Sequence, residues 1–64
     1  MNQNQQSYRL TFEDAVEIWQ RHWDGEYQHN IAARFGVNPG RVNEVLKHHR
    51  HSGSEEAARS ASAA

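Results

Sequence analysis

The stretch at residues 28–47 restricts the fold more than any other part of the chain. Its apolar residues occupy the positions that two short helices joined by a tight turn would bury. Ile31 and Phe35 lie four apart on one helical stripe, and Val42, Val45 and Leu46 form the stripe of the next. Ala32 falls where the two helices cross, a place where a larger side chain would push them apart. Gly36 supplies a left-handed residue to close the first helix at little conformational cost. Val37 plugs the corner. Asn38 and Pro39 open the second helix, an N-cap side chain followed by the residue whose missing N–H costs nothing at the first helical position.

Upstream, Phe12, Ala15, Val16, Trp19 and Trp23 recur at helical spacing, with Ile18 and His22 on the flank, a stripe wide enough to roof the two-helix unit. Thr11 as N-cap and Asp14 three residues later resemble a capping box, with Asp in place of the usual Glu or Gln. Glu13 and Asp14 suit the positive end of the helix dipole. Asp24-Gly25 ends this helix. The pattern predicts a second helix over 26–35, with Tyr27 packed beside Ile31, and a third from Pro39 to about His51. No stretch alternates as a strand would. Residues 1–7 are rich in Asn and Gln and are expected to be disordered. Beyond Gly53, the Ser/Ala/Glu segment has good helix formers but no large apolar residue with which to dock, which predicts a frayed tail. The chain therefore divides into an arm (1–9), one domain (10–51) and a flexible tail (52–64). The fold class is all-α, a compact three-helix domain with disordered termini.

A chain of 64 residues holds one domain with a marginal core. It contains no cysteine, which excludes a disulfide scaffold and thiolate metal sites. No apolar run approaches membrane-spanning length, and the first residues lack the basic and apolar parts of a signal peptide. A soluble, cytoplasmic protein without membrane association is expected. The formal net charge of −1 hides a polarity. Residues 1–35 carry three arginines against five carboxylates, a net −2. Residues 36–51 carry Arg41, Lys47 and Arg50 against Glu44 alone, a net +2, with His48, His49 and His51 available to add charge.

Ile31-Ala32, Phe35-Gly36-Val37, Val42 and Val45 together resemble the helix-turn-helix of bacterial and phage DNA-binding proteins. Residues 31–46 are especially similar to the short helix-turn-helix regulators of bacterial and prophage genomes. The resemblance covers residues 10–51 at most and rests on a degenerate motif. It implies a transcriptional regulator that binds double-stranded DNA sequence-specifically, with its last helix, at about 39–51, in the major groove. A helical hairpin whose apolar residues only make a core is the alternative.

Such proteins read bases from the N-terminal half of the last helix, and here two of those places hold Pro39 and Gly40, which lack hydrogen-bonding side chains. The burden shifts to Asn38, Arg41, Asn43 and Glu44, since Arg suits guanine, Asn adenine, and Glu can accept from the cytosine amino group. Each has a duller role: Arg41 touching only phosphate, Asn38 only capping, Glu44 repelling phosphate or pairing with Arg41 or Lys47. Gly40 lets backbone approach phosphates closely. Lys47, His48 and Arg50 are expected at phosphates, with Gln28 and His29 contributing from the N-terminus of the preceding helix. On a helix reaching His51, residues 41, 44, 48 and 51 share a strip and His49 turns inward.

His48 and His51, three apart on such a helix, have a spacing that can hold a metal, but a structural site usually takes four ligands and these helices offer two or three. No metal or other cofactor is expected. His22 or His29 beside Glu17, Asp24 or Glu26 could form an acid/base pair, yet neither a nucleophile nor a phosphate-binding glycine loop accompanies them, and the reading is of a protein that is not an enzyme. Two Trp plus Phe12, Tyr27 and Phe35 are many aromatics for so small a core. Trp19 and Trp23 are therefore candidates for a partner or dimer surface, and a homodimer at least on DNA is expected. The rival class of function is a small interaction module, an anti-activator or phage-encoded factor. It would bind RNA polymerase or another regulator through the acidic, aromatic first helix.

Overall fold

A computed structural model describes residues 9–63, and among them every regular element is a helix: α1 Phe12–Trp23, α2 Gln28–Phe35, α3 Pro39–Leu46 and α4 Ser54–Ala63. The fold class is all-α. The expected arm at 1–9 lies outside the described residues except for Arg9, which is exposed.

Four of the helix ends have a clear local reason. Thr11 and Asp14 form the reciprocal capping box, each backbone N–H donating at 3.0 Å to the other's side-chain oxygen. At the other end of α1, Glu26 N–H reaches Arg21 C=O at 3.1 Å and Gly25 N–H reaches His22 C=O at 3.0 Å, the paired bonds of a Schellman motif. α2 closes in the same way, through Val37 N–H to Ala32 C=O and Gly36 N–H to Ala33 C=O, with Gly36 at φ 67. Asn38 opens α3, its side-chain oxygen accepting from Gly40 N–H at 2.7 Å. α2 starts at Gln28, two residues later than the hydrophobic spacing predicts. Its N-cap, Tyr27, is 71% exposed and does not pack beside Ile31.

Ala15, Ile18 and Trp19 of α1, Ile31 and Ala32 of α2, and Val42 and Val45 of α3 form one buried cluster, with Phe35, Val37 and Leu46 packed at its edge. Fully burying each of the larger aliphatic side chains stabilises by roughly 1.5–3 kcal/mol. On the surface, Arg21 donates to Glu17 at 2.8 Å and to Glu26 at 2.9 Å, and Arg34 reaches the same Glu26. Glu26 thus links α1 to α2. The hydrogen bonds to Glu17 and then Glu26 raise the Arg21 pKa above its already high ordinary value, so this charge persists throughout the accessible pH range.

The expected tail is instead a fourth helix on the same core. Ser54 and Ala58 of α4 are buried against α1, so the unit that packs together extends past residue 51. Docking needs no large apolar residue on α4 because α1 supplies it. Trp19 is only 6% exposed, and its indole N–H donates to the Ser54 hydroxyl at 3.0 Å. Trp19 is therefore a core residue rather than a free partner surface. No helix among the described residues is long and apolar enough to cross a membrane.

Candidate nucleic-acid interface

The three-residue turn at 36–38 sets α3 against α2 through Ile31 and Ala32 on one side and Val42 and Val45 on the other. With those valines inward, helical periodicity places Gly40, Glu44 and Lys47 on the opposite face, flanked by Arg41 and Asn43. Asn38, Pro39, Gly40, Arg41 and Lys47 are exposed, while Asn43 and Glu44 are half-buried. Asn38 is occupied as the cap of α3. A Cβ at Gly40 would lie 3.2 Å from the capping oxygen of Asn38, which would have to give by a few tenths of an ångström.

α3 ends at Leu46, about a turn short of the helix expected to reach His51. His49 N–H donates to Glu44 C=O at 2.9 Å and His48 N–H to Val45 C=O at 3.0 Å, a third Schellman closure, with His48 at φ 65 in the left-handed position. Sequence reading missed this stop because the residue that makes it is not glycine. His51 is also left-handed, at φ 52.

The expected strip of 41, 44, 48 and 51 therefore does not form. Arg41 and Glu44 stay on α3, and the histidines belong to a loop. His49 is exposed, not inward. The metal-like spacing of His48 and His51 is lost with the helix, and among the described residues no group of three or more His, Asp or Glu converges as a metal site would. The loop histidines have structural partners. The His48 ring packs on Trp19 with centroids 5.5 Å apart, and its Nε2 lies 3.2 Å from Glu55 of α4. His51 Nε2 lies 2.8 Å from Leu10 C=O, an atom that only accepts, so the ring carries its proton on Nε2. His51 also meets Phe12 edge to face.

Glu44 organises the cations. Its Oε1 lies 3.2 Å from Arg41 Nη1 and 3.2 Å from Arg50 Nε, so one carboxylate serves two arginines from different segments. Lys47 is exposed and forms no ion pair among the described residues. Gln28 is half-buried at the start of α2, and the exposed His29 stacks with Tyr27 at 6.2 Å. Away from α3, a shallow depression on α1 is lined by Glu13, Glu17, Gln20, Arg21 and Asp24. Trp23 is 40% exposed at the end of α1, with the Arg59 guanidinium 5.3 Å above its ring.

No family model matches the chain, and neither a curated protein nor a solved structure does.

Proposed function

We propose that this chain is a sequence-specific double-stranded DNA-binding protein of the small bacterial or prophage helix-turn-helix regulator kind, acting in the cytoplasm. The observation that carries the reading is the α2–turn–α3 unit. Its left-handed Gly36, capped α3 and four-residue buried contact leave the outer face of a short helix exposed, with Arg41 and Lys47 on it. A helix presented in this way fits the major groove. Arg41 and Asn43 are the base readers, joined by Asn38 where its cap leaves an acceptor free. Lys47, Gln28, His29 and the Gly40 backbone meet phosphate, while Arg50 stays paired with Glu44. The acidic face of α1 is turned to other work and keeps that side off the DNA. The absence of a basic excess overall predicts weak binding per protomer, which a homodimer on two half-sites offsets.

Enrichment of duplexes from a random pool, followed by fluorescence anisotropy across a salt series, tests this. The expected result is one enriched sequence, bound with a shallow log–log salt slope of about −1 to −2 per protomer. Failure to enrich any duplex would remove the reading. The alternative of a protein-interaction module on α1 draws support from the exposed Trp23 at the end of that helix and from the carboxylates Glu13, Glu17 and Asp24 along it. It is favoured if DNA fails while RNA polymerase or another regulator binds and Trp23→Ala abolishes that binding.

A further inference from the structure

A carboxylate in the middle of a DNA-facing surface is at first sight an obstacle, because it repels phosphate. Glu44 does not stand alone, however. Arg41 precedes it by three positions on α3 and meets it at 3.2 Å. Arg50 is six positions later and would be well away along a continuous helix. It arrives at 3.2 Å only because the His48 turn folds the chain back, with His49 N–H bonded to the Glu44 carbonyl. The backbone that ends α3 therefore also builds the second ion pair. Both arginines are exposed, so both could otherwise attach to phosphate on any sequence.

Resting on the duplex-DNA reading, we propose that Glu44 is the residue that sets specificity: a shared counter-ion that withholds Arg41 and Arg50 from phosphates and releases Arg41 only to a matching base edge. Attraction to phosphate is the same for all sequences, so a neutralised arginine subtracts from binding everywhere. Guanine offers O6 and N7 as a planar pair of acceptors, which can replace the carboxylate that Arg41 gives up. When Arg41 leaves, Arg50 remains to neutralise Glu44, so no uncompensated carboxylate faces the DNA. The exchange is cheap on the right sequence and costly on others, and discrimination grows by penalising the wrong partner.

Glu44→Gln tests this, since it keeps the shape and a hydrogen-bond acceptor but removes the charge. Anisotropy is measured on the duplex enriched from a random pool and on the unselected pool itself, with circular dichroism to verify the fold. The variant is expected to bind the pool about tenfold more tightly, with a salt slope about one unit steeper. It gains much less on the enriched duplex, so the selectivity ratio falls about tenfold. Glu56→Gln, which removes an exposed carboxylate on α4, leaves the ratio unchanged. Arg50→Gln weakens the enriched duplex more than the pool, because Glu44 then has no partner once Arg41 moves to a base. Equal changes on both DNAs for Glu44→Gln or Arg50→Gln, or no change for Glu44→Gln on either, overturn the inference while the selectivity of the unmodified protein still upholds DNA reading. Unmodified protein that selects no duplex overturns both.

Discussion

The indole N–H of Trp19 donates to the hydroxyl of Ser54 at 3.0 Å, joining two buried residues 35 positions apart and fixing the first helix to the last. In Ser54→Ala that donor has no partner in a place water does not reach, and the expected loss is about 1–3 kcal/mol. For a domain of this size each 1 kcal/mol lowers Tm by roughly 4–8 °C. In a Trp19→Phe background there is no donor to strand, so the same Ser54→Ala change is expected to cost much less. A double-mutant cycle by urea denaturation checks this, and equal costs in the two backgrounds would show that the hydrogen bond contributes nothing.

Removing α4 by ending the chain after Gly53 uncovers Trp19. With Trp23→Phe in place to leave one reporter, the truncated protein is expected to show red-shifted tryptophan emission and a lower urea midpoint. Unchanged emission would mean that α4 does not cover the indole in solution.

The helix closures at Gly36 and His48 make contrasting demands. A Cβ at Gly36 would meet no atom within 4 Å, so Gly36→Ala suffers only the left-handed backbone cost, about 1–2 kcal/mol, and Gly36→Asn less. At His48 the backbone is already strained at φ 65, while the ring packs on Trp19 and its Nε2 meets Glu55. His48→Ala and His48→Gly both delete those contacts, yet only Gly relieves the backbone. The Gly variant is therefore expected to be the more stable by about 1 kcal/mol in thermal denaturation. The opposite order would place the loop in another conformation in solution.

The first three helices were legible in the residues because each carries a signal at one end or both. Thr11 with Asp14, Asp24 with Gly25, Gly36, and Asn38 with Pro39 all mark boundaries seen in the structure to within a residue or two. The end of α3 was hidden because a histidine takes the left-handed place usually held by glycine, and its compensation comes from Trp19 and Glu55, far away in sequence. α4 was hidden because hydrophobic periodicity weighs large side chains. Here the large residue, Trp19, is on α1, and Ser54 and Ala58 contribute smoothness and a hydroxyl. Within the candidate site, the Arg41–Glu44 pair was among the options that helical spacing left open. Arg50 joining them from the loop required the chain reversal at His48.

Base reading and phosphate contact separate experimentally. Arg41→Ala is expected to reduce preference at one base pair per half-site, costing about 1–3 kcal/mol on the enriched duplex. Lys47→Ala, on a residue with no ion pair among those described, should weaken all sequences alike and lower the salt slope by about one unit. Identical losses on enriched and random DNA for Arg41→Ala would reduce that residue to a phosphate contact.

The last expectation concerns the assembly on DNA. Glu44 neutralises part of the charge of Arg41 and Arg50, which leaves few free cations per protomer, and so shallow a salt slope gives weak binding to a single half-site. Two half-sites about one helical turn apart would restore affinity if two copies cooperate. Trp19 cannot mediate that contact because α4 covers it, so the exposed tryptophan left on α1 is Trp23, 40% exposed beneath Arg59, with Phe12 exposed at the opposite end of the helix. Light scattering on duplexes with one and two half-sites is expected to show one protomer bound weakly to the first and two bound tightly to the second. Trp23→Ala should remove the difference without unfolding the domain, since the residue lies outside the buried cluster. Tight, selective binding of one protomer to an isolated half-site would instead make the monomer the functional unit and return Trp23 to a purely local role under Arg59.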